Sequence, residues 1–136
     1  MLVKVRALRK GVKGELPCEH AARAVFPSIR ASLAKILIEE YNLNRYSVAK
    51  ILGTTPAAIT QYLEGKRGDK YIKKIHSNNK LLEILRKTAK DITSSYEATG
   101  KVDYILYQKA FCNICSKINE LAVDRGCPAT IFNKVN

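Results

Sequence analysis

Ala57, Thr60, Gln61 and Glu64 fall on one side of any helix that starts at Pro56. Their chemistry is surface hydrogen bonding. A Gln amide carries a donor and an acceptor side by side, the pattern that pairs with an adenine edge. The Thr60 hydroxyl can serve either base partner. Thr54 and Thr55 precede that helix, and Lys66 and Arg67 follow it. Two hydroxyls and two cations at the ends of a helix suit phosphate oxygens. A different chemistry belongs to Cys18, Cys112, Cys115 and Cys127. Cys112 and Cys115 are three apart, so on a helix they share a side, and two thiolates there can hold one metal.

The segment from Asn44 to Leu63, NRYSVAKILGTTPAAITQYL, spells the elements that would position the first set. Val48 and Leu52 make one face of a short helix, with Asn44 or Ser47 as its polar start. Ala49 is small enough for a partner helix to come close. Gly53 follows where the chain must turn, and glycine takes positive φ without steric cost. Thr54 or Thr55 can cap the next helix, and Pro56 suits a first position that needs no N–H. Ile59 and Leu63 are the expected buried face of that second helix. Any helical hairpin has a small residue and a glycine turn. The joint fit of Ala49, Gly53, Ile59 and the Thr-Pro start favours the helix-turn-helix, which lays its second helix in the major groove.

The scaffold is expected on both sides of this segment. ELPCEHAARAVF (15–26) is helix-prone, and Pro27 should kink or restart the helix. Ile29, Leu33, Ile36, Leu37 and Tyr41 then repeat at helical spacing and should pack on Val48, Leu52, Ile59 and Leu63. Tyr71, Ile72 and Ile75, then Leu81, Leu82, Leu85 and Ile92, mark further helices with a turn or cap at SNN (77–79). TSSYEATGK (93–101) reads as a loop closed by Gly100. A last helix from about Val102 to Val123 carries Tyr107, Phe111, Ile114, Ile118 and Leu121, a stripe that fits a dimer interface or packing on residues 72 to 92. Residues 1–16 form a basic arm. LVKVRAL within it reads as a short edge strand or a frayed, solvated end. His76 is expected to be solvated.

The chain has 136 residues, with 24 Lys and Arg against 12 Asp and Glu, a net charge of +12. So large an excess repels itself unless a polyanion uses it. Nucleic acid is the natural partner, an anionic membrane surface the alternative. From 66 to 90, Lys66, Arg67, Lys70, Lys73, Lys74, Lys80, Arg86, Lys87 and Lys90 face only Asp69 and Glu83. No run approaches the ~18 apolar residues of a membrane span. The start lacks a signal peptide's apolar core, so a cytoplasmic protein is expected. No nucleophile–base pair, paired carboxylates or phosphate loop points to an enzyme.

The four cysteines leave three readings open. Cys115 sits beside the apolar stripe and can be an ordinary core residue. Two cysteines can form a disulfide. Cys112, Cys115 and Cys127, with Cys18 as a fourth, can bind zinc or an iron–sulfur cluster if the tail folds back on the start of the domain. The scattered ligands suit the cluster better than zinc.

Residues 17 to 68 resemble the archaeal helix-turn-helix regulators of the Xre or phage-repressor type. The likeness rests on Pro17, Cys18 and Glu19, the Pro27 break, and Gln61-Tyr62-Leu63-Glu64-Gly65-Lys66-Arg67-Gly68. Cys112, Cys115 and Cys127 are similar to cysteines of that group. The resemblance implies a transcriptional regulator that binds duplex DNA. The expectation is an all-α, lambda-repressor-like domain over 17–68, followed by C-terminal helices over 69–136 that form a homodimer. The other classes are a non-sequence-specific chromosomal or RNA-binding protein, an antitoxin-type interaction module, and a redox or metal-storage protein.

Overall fold

A computed structural model describes residues 14–119 of the chain. The arm residues 1–13, Leu121 and Cys127 lie outside the described residues. All the regular structure described is helical: α1 (Pro17–His20), a π turn (Ala21–Val25), α2 (Phe26–Glu39), α3 (Arg45–Leu52), α4 (Pro56–Leu63), α5 (Ile72–His76), α6 (Asn79–Thr99) and α7 (Tyr104–Ile118).

Helix α2 is the axis of the molecule and touches α3, α4, α5, α6 and α7. Its Ile29, Leu33 and Leu37 have no exposed surface. Each such aliphatic side chain stabilises the fold by about 1.5–3 kcal/mol relative to exposure. Tyr41, the last residue of the expected stripe, is only half-buried.

Pro27 stands in the first turn of α2, where the α-helix restarts after the π turn. The Phe26 N–H reaches back to the Ala21 carbonyl, one residue further than in an α-helix. A π turn of this kind relieves the crowding that the Pro27 ring would cause one turn earlier, so the chain runs on as helix from Pro17 to Glu39.

Two further expectations change at helix ends. Residues 93–99 are the last turns of α6, not a loop, and Gly100 with φ +74° stops the helix. Helix α7 is shorter than the apolar stripe suggested. Asp103 caps its start by accepting from the Ile105 and Leu106 N–H groups, and Asn119 leaves it in an extended conformation. Asn78 caps α6 as the SNN segment implied.

The stripe of α7 goes into the protomer. Tyr107, Phe111, Ile114 and Ile118 are buried, and α7 packs on α6, α2 and the π turn. Phe111 meets Phe26 edge-on at 5.5 Å and Tyr107 at 4.4 Å between ring centres. The apolar residues that α7 leaves outside are Tyr104, Ile105 and Leu106, at 58 %, 67 % and 41 % exposure.

Candidate nucleic-acid interface

Helices α3 and α4 are each eight residues long and begin with side-chain caps. The Asn44 carboxamide accepts the Ser47 N–H at 2.9 Å, and Thr55 Oγ1 accepts the Ala58 N–H at 3.1 Å. Of the two threonines offered by the sequence, Thr55 is thus the cap. Both helices end alike. Gly53 (φ +67°) and Gly65 (φ +73°) turn left-handed, and the next residue donates back over the turn, Thr54 to the Ala49 carbonyl and Lys66 to the Gln61 carbonyl. Glycine is needed at such positions because a Cβ would be strained there.

The inner side of α4 is Ala58, Ile59 and Tyr62, all buried. Leu63 is not part of it and stands 44 % exposed. The helix ends at Leu63, and the buried direction passes through Tyr62, three residues after Ile59. Val48, Ala49 and Leu52 are buried on α3 as the spacing implied.

The outer side carries Thr55, Ala57, Gln61 and Glu64, all exposed, with Thr54 and Thr60 half-buried. Thr60 is already engaged. Its hydroxyl donates to the Pro56 carbonyl at 3.1 Å and accepts from Arg45 Nη1 at 2.8 Å. Arg45 therefore reaches from α3 across the face of α4, a placement that no local pattern in the sequence announced. Tyr46, beside it, is also strongly exposed. Lys66 and Arg67 are exposed past the end of α4. The Lys66 ammonium pairs with Glu64 at 3.2 Å, a surface contact that is cheap to exchange for a phosphate. The Arg67 guanidinium lies over the Tyr62 ring at 5.5 Å, which orders it before any ligand arrives.

A buried polar cluster fixes the loop after α4. The His20 Nε2 meets the Tyr71 hydroxyl at 2.8 Å, and the Tyr71 N–H donates to Ser28 Oγ at 3.0 Å. Arg23 donates twice to Glu15, both at 3.2 Å. Burial, and after it the Lys70 charge, hold the His20 pKa below 6.5, against the pull of Glu15. Gly68 completes the anchorage, since a Cβ there would collide with the Pro27 carbonyl. Exposed Lys70, Lys73, Lys74, Lys80, Lys87 and Lys90 continue the positive surface beyond this loop.

Helix α7 braces the α3–α4 turn. The Tyr107 hydroxyl lies a long 3.5 Å from the Leu52 carbonyl, and Tyr104 stands beside Gly53. At its other end, Asn119 Nδ2 donates to the Pro17 carbonyl at 3.0 Å and to Cys115 Sγ at 3.3 Å. Cys115 is buried, Cys112 half-buried and Cys18 exposed. The fold thus brings the end of α7 to the start of α1, next to Cys18. Among the described residues, which exclude Cys127, no three His, Cys, Asp or Glu side chains converge as a metal site.

No protein-family model, curated protein or solved structure matches the chain. Among the described residues no helix is long and apolar enough to cross a membrane.

Proposed function

We propose that this protein binds double-stranded DNA sequence-selectively and regulates transcription, with α3 and α4 as a lambda-repressor-like helix-turn-helix. The observation that carries the reading is the division of α4. Ala58, Ile59 and Tyr62 lock it to the core, while Ala57, Gln61 and Glu64 stand outward on a helix stopped at both ends. Such a helix is narrow, rigid and polar outside, which is what the major groove admits.

In this reading Gln61 pairs with an adenine edge, and Arg45, oriented by Thr60, joins it at the groove. Thr55 accepts from Ala58 and keeps its own O–H to donate to a phosphate. Lys66 and Arg67 hold the flanking backbone. The protein acts as a homodimer, because two half-sites one turn apart need two reading helices. The dimer surface is the start of α7, where Tyr104, Ile105 and Leu106 remain uncovered.

The breadth of the basic surface along α5 and α6 favours a second reading, binding to nucleic acid without sequence preference. Anisotropy titrations of selected and random duplexes over a range of salt separate the two. The regulator reading expects the selected duplex to bind more tightly at every salt concentration, with each neutralised phosphate adding about −0.9 to the slope of log K against log salt. Equal binding of both duplexes throughout would overturn it.

A further inference from the structure

Behind α4, a cleft of about 840 Å³ opens between α2, the end of α4 and α5. Clefts of roughly 300–1,000 Å³ take small organic ligands. The apolar wall is made by Ala31, Tyr62, Leu63 and Ile72. Leu63 is the uncovered member, and a ligand placed here removes from water the surface that the fold leaves wet.

The charged wall has Lys35, Arg67 and Lys73 against Glu39 and Asp69. Three cations less two carboxylates leave one positive charge in surplus. Among the described residues no ion pair joins these five. At His76, which closes the cleft beside Ser32, the Lys35 charge outweighs the Glu39 charge. The opposite wall is stiff, because Gly65 and Gly68 are held in left-handed turns and Gly68 packs directly on the Pro27 backbone.

We infer that this cleft binds a small organic monoanion with an apolar, ring-sized body, which lies on Leu63, Tyr62 and Ile72 and sets its charge among Arg67, Lys35 and Lys73. Arg67 also stands where the DNA reading places a phosphate. A ligand that engages Arg67 therefore weakens DNA binding, and DNA weakens the ligand by the same factor. That coupling rests on the DNA reading; the site itself does not.

The probe is 8-anilinonaphthalene-1-sulfonate, a ring body with one sulfonate, titrated into the full chain and read by fluorescence. One saturable transition is expected, weakened at least tenfold in Leu63→Glu and in the Lys35→Glu/Lys73→Glu double variant. Lys109→Ala, in a separate cleft between α6 and α7, should leave it unchanged. Circular dichroism checks that each variant is folded. If Leu63→Glu unfolds, the lysine variant, altered only at exposed positions, still decides. Amide shifts on probe binding should centre on Ala31, Leu63 and Ile72. No saturable binding, or equal binding in wild type and folded variants, overturns the site. With the probe bound, an unchanged duplex affinity overturns the coupling alone. Probe binding by a protein with no duplex affinity overturns the DNA reading and leaves the site standing.

Discussion

Helices α4 and α7 both bury an apolar side against α2, yet they treat water in opposite ways. Helix α4 shows the solvent Ala57, Gln61 and Glu64, small or polar groups that lose little by standing there. The first turn of α7 shows it Tyr104, Ile105 and Leu106. A polar face suits a wet, hydrogen-bonding partner such as a DNA groove. A cluster of large apolar side chains suits a partner that excludes water, in the proposed reading a second copy of the chain. In that reading the two surfaces serve different partners, although Tyr104 lies close beside Gly53 at the α3–α4 turn.

The strongest way to break this contrast is Ile59→Ala. Ile59 is fully buried, so its truncation should cost about 2–5 kcal/mol of stability, read from the urea midpoint. Ile105→Ala, on the outside of α7, should cost under about 0.5 kcal/mol at concentrations low enough to keep the chain monomeric. Comparable losses would mean that α7 is covered where it is described as open.

Next in size is the pair Gln61→Ala and Lys66→Ala. The first should lose about 1–3 kcal/mol on the selected duplex and relax preference at one position. The second should weaken all duplexes alike and flatten the salt slope by about 0.9. Indistinguishable behaviour would remove α4 from the groove.

Light scattering sharpens the α7 half. The wild type should be dimeric, and Ile105→Glu should weaken association about tenfold or more, roughly 1.4 kcal/mol. A wild type that stays monomeric with and without DNA would discard the interface.

The smallest effect is in pH. Both histidines sit below 6.5 in the fold, His20 through burial and then Lys70, His76 through burial and then Lys35. The unfolded chain then takes up protons first as pH falls through about 6.5, so stability is highest above that value and declines below it. Urea midpoints measured at about pH 7.5 and pH 5.5 should differ in this sense, and His20→Gln should reduce the difference. A midpoint that rises on acidification contradicts the placement of His20.

The α3–α4 pair was legible because its signals are local. Asn44, Gly53, Thr55 and Pro56 each act on backbone groups within a few residues, and each does so in the fold. Leu63 differs by one position because residues three and four after Ile59 both lie near its side of the helix, and the fold buries Tyr62 instead. Pro27 marks the restart of the α-helix, as its missing N–H implies, but the π turn that leads into it leaves no local signal in the sequence. The Tyr107–Phe111 stripe was visible, but not its destination, since an apolar face does not say which surface covers it. Arg45 on Thr60 and His20 on Tyr71 join residues set apart in sequence, and spacing alone carries no trace of such contacts.

The bond from Asn119 to Pro17 spans 102 positions. Closing so long a loop costs more chain entropy than pairing α3 with α4, by about 0.6 kcal/mol for each doubling of length. Distant contacts of this kind form late. During synthesis, α2, α3 and α4 leave the ribosome with most of their mutual contacts available, while Phe26 and the Leu52 carbonyl still wait for Phe111 and Tyr107. Until α7 docks, the apolar surface that Phe111 and Tyr107 cover stays open to chaperones and to other nascent chains.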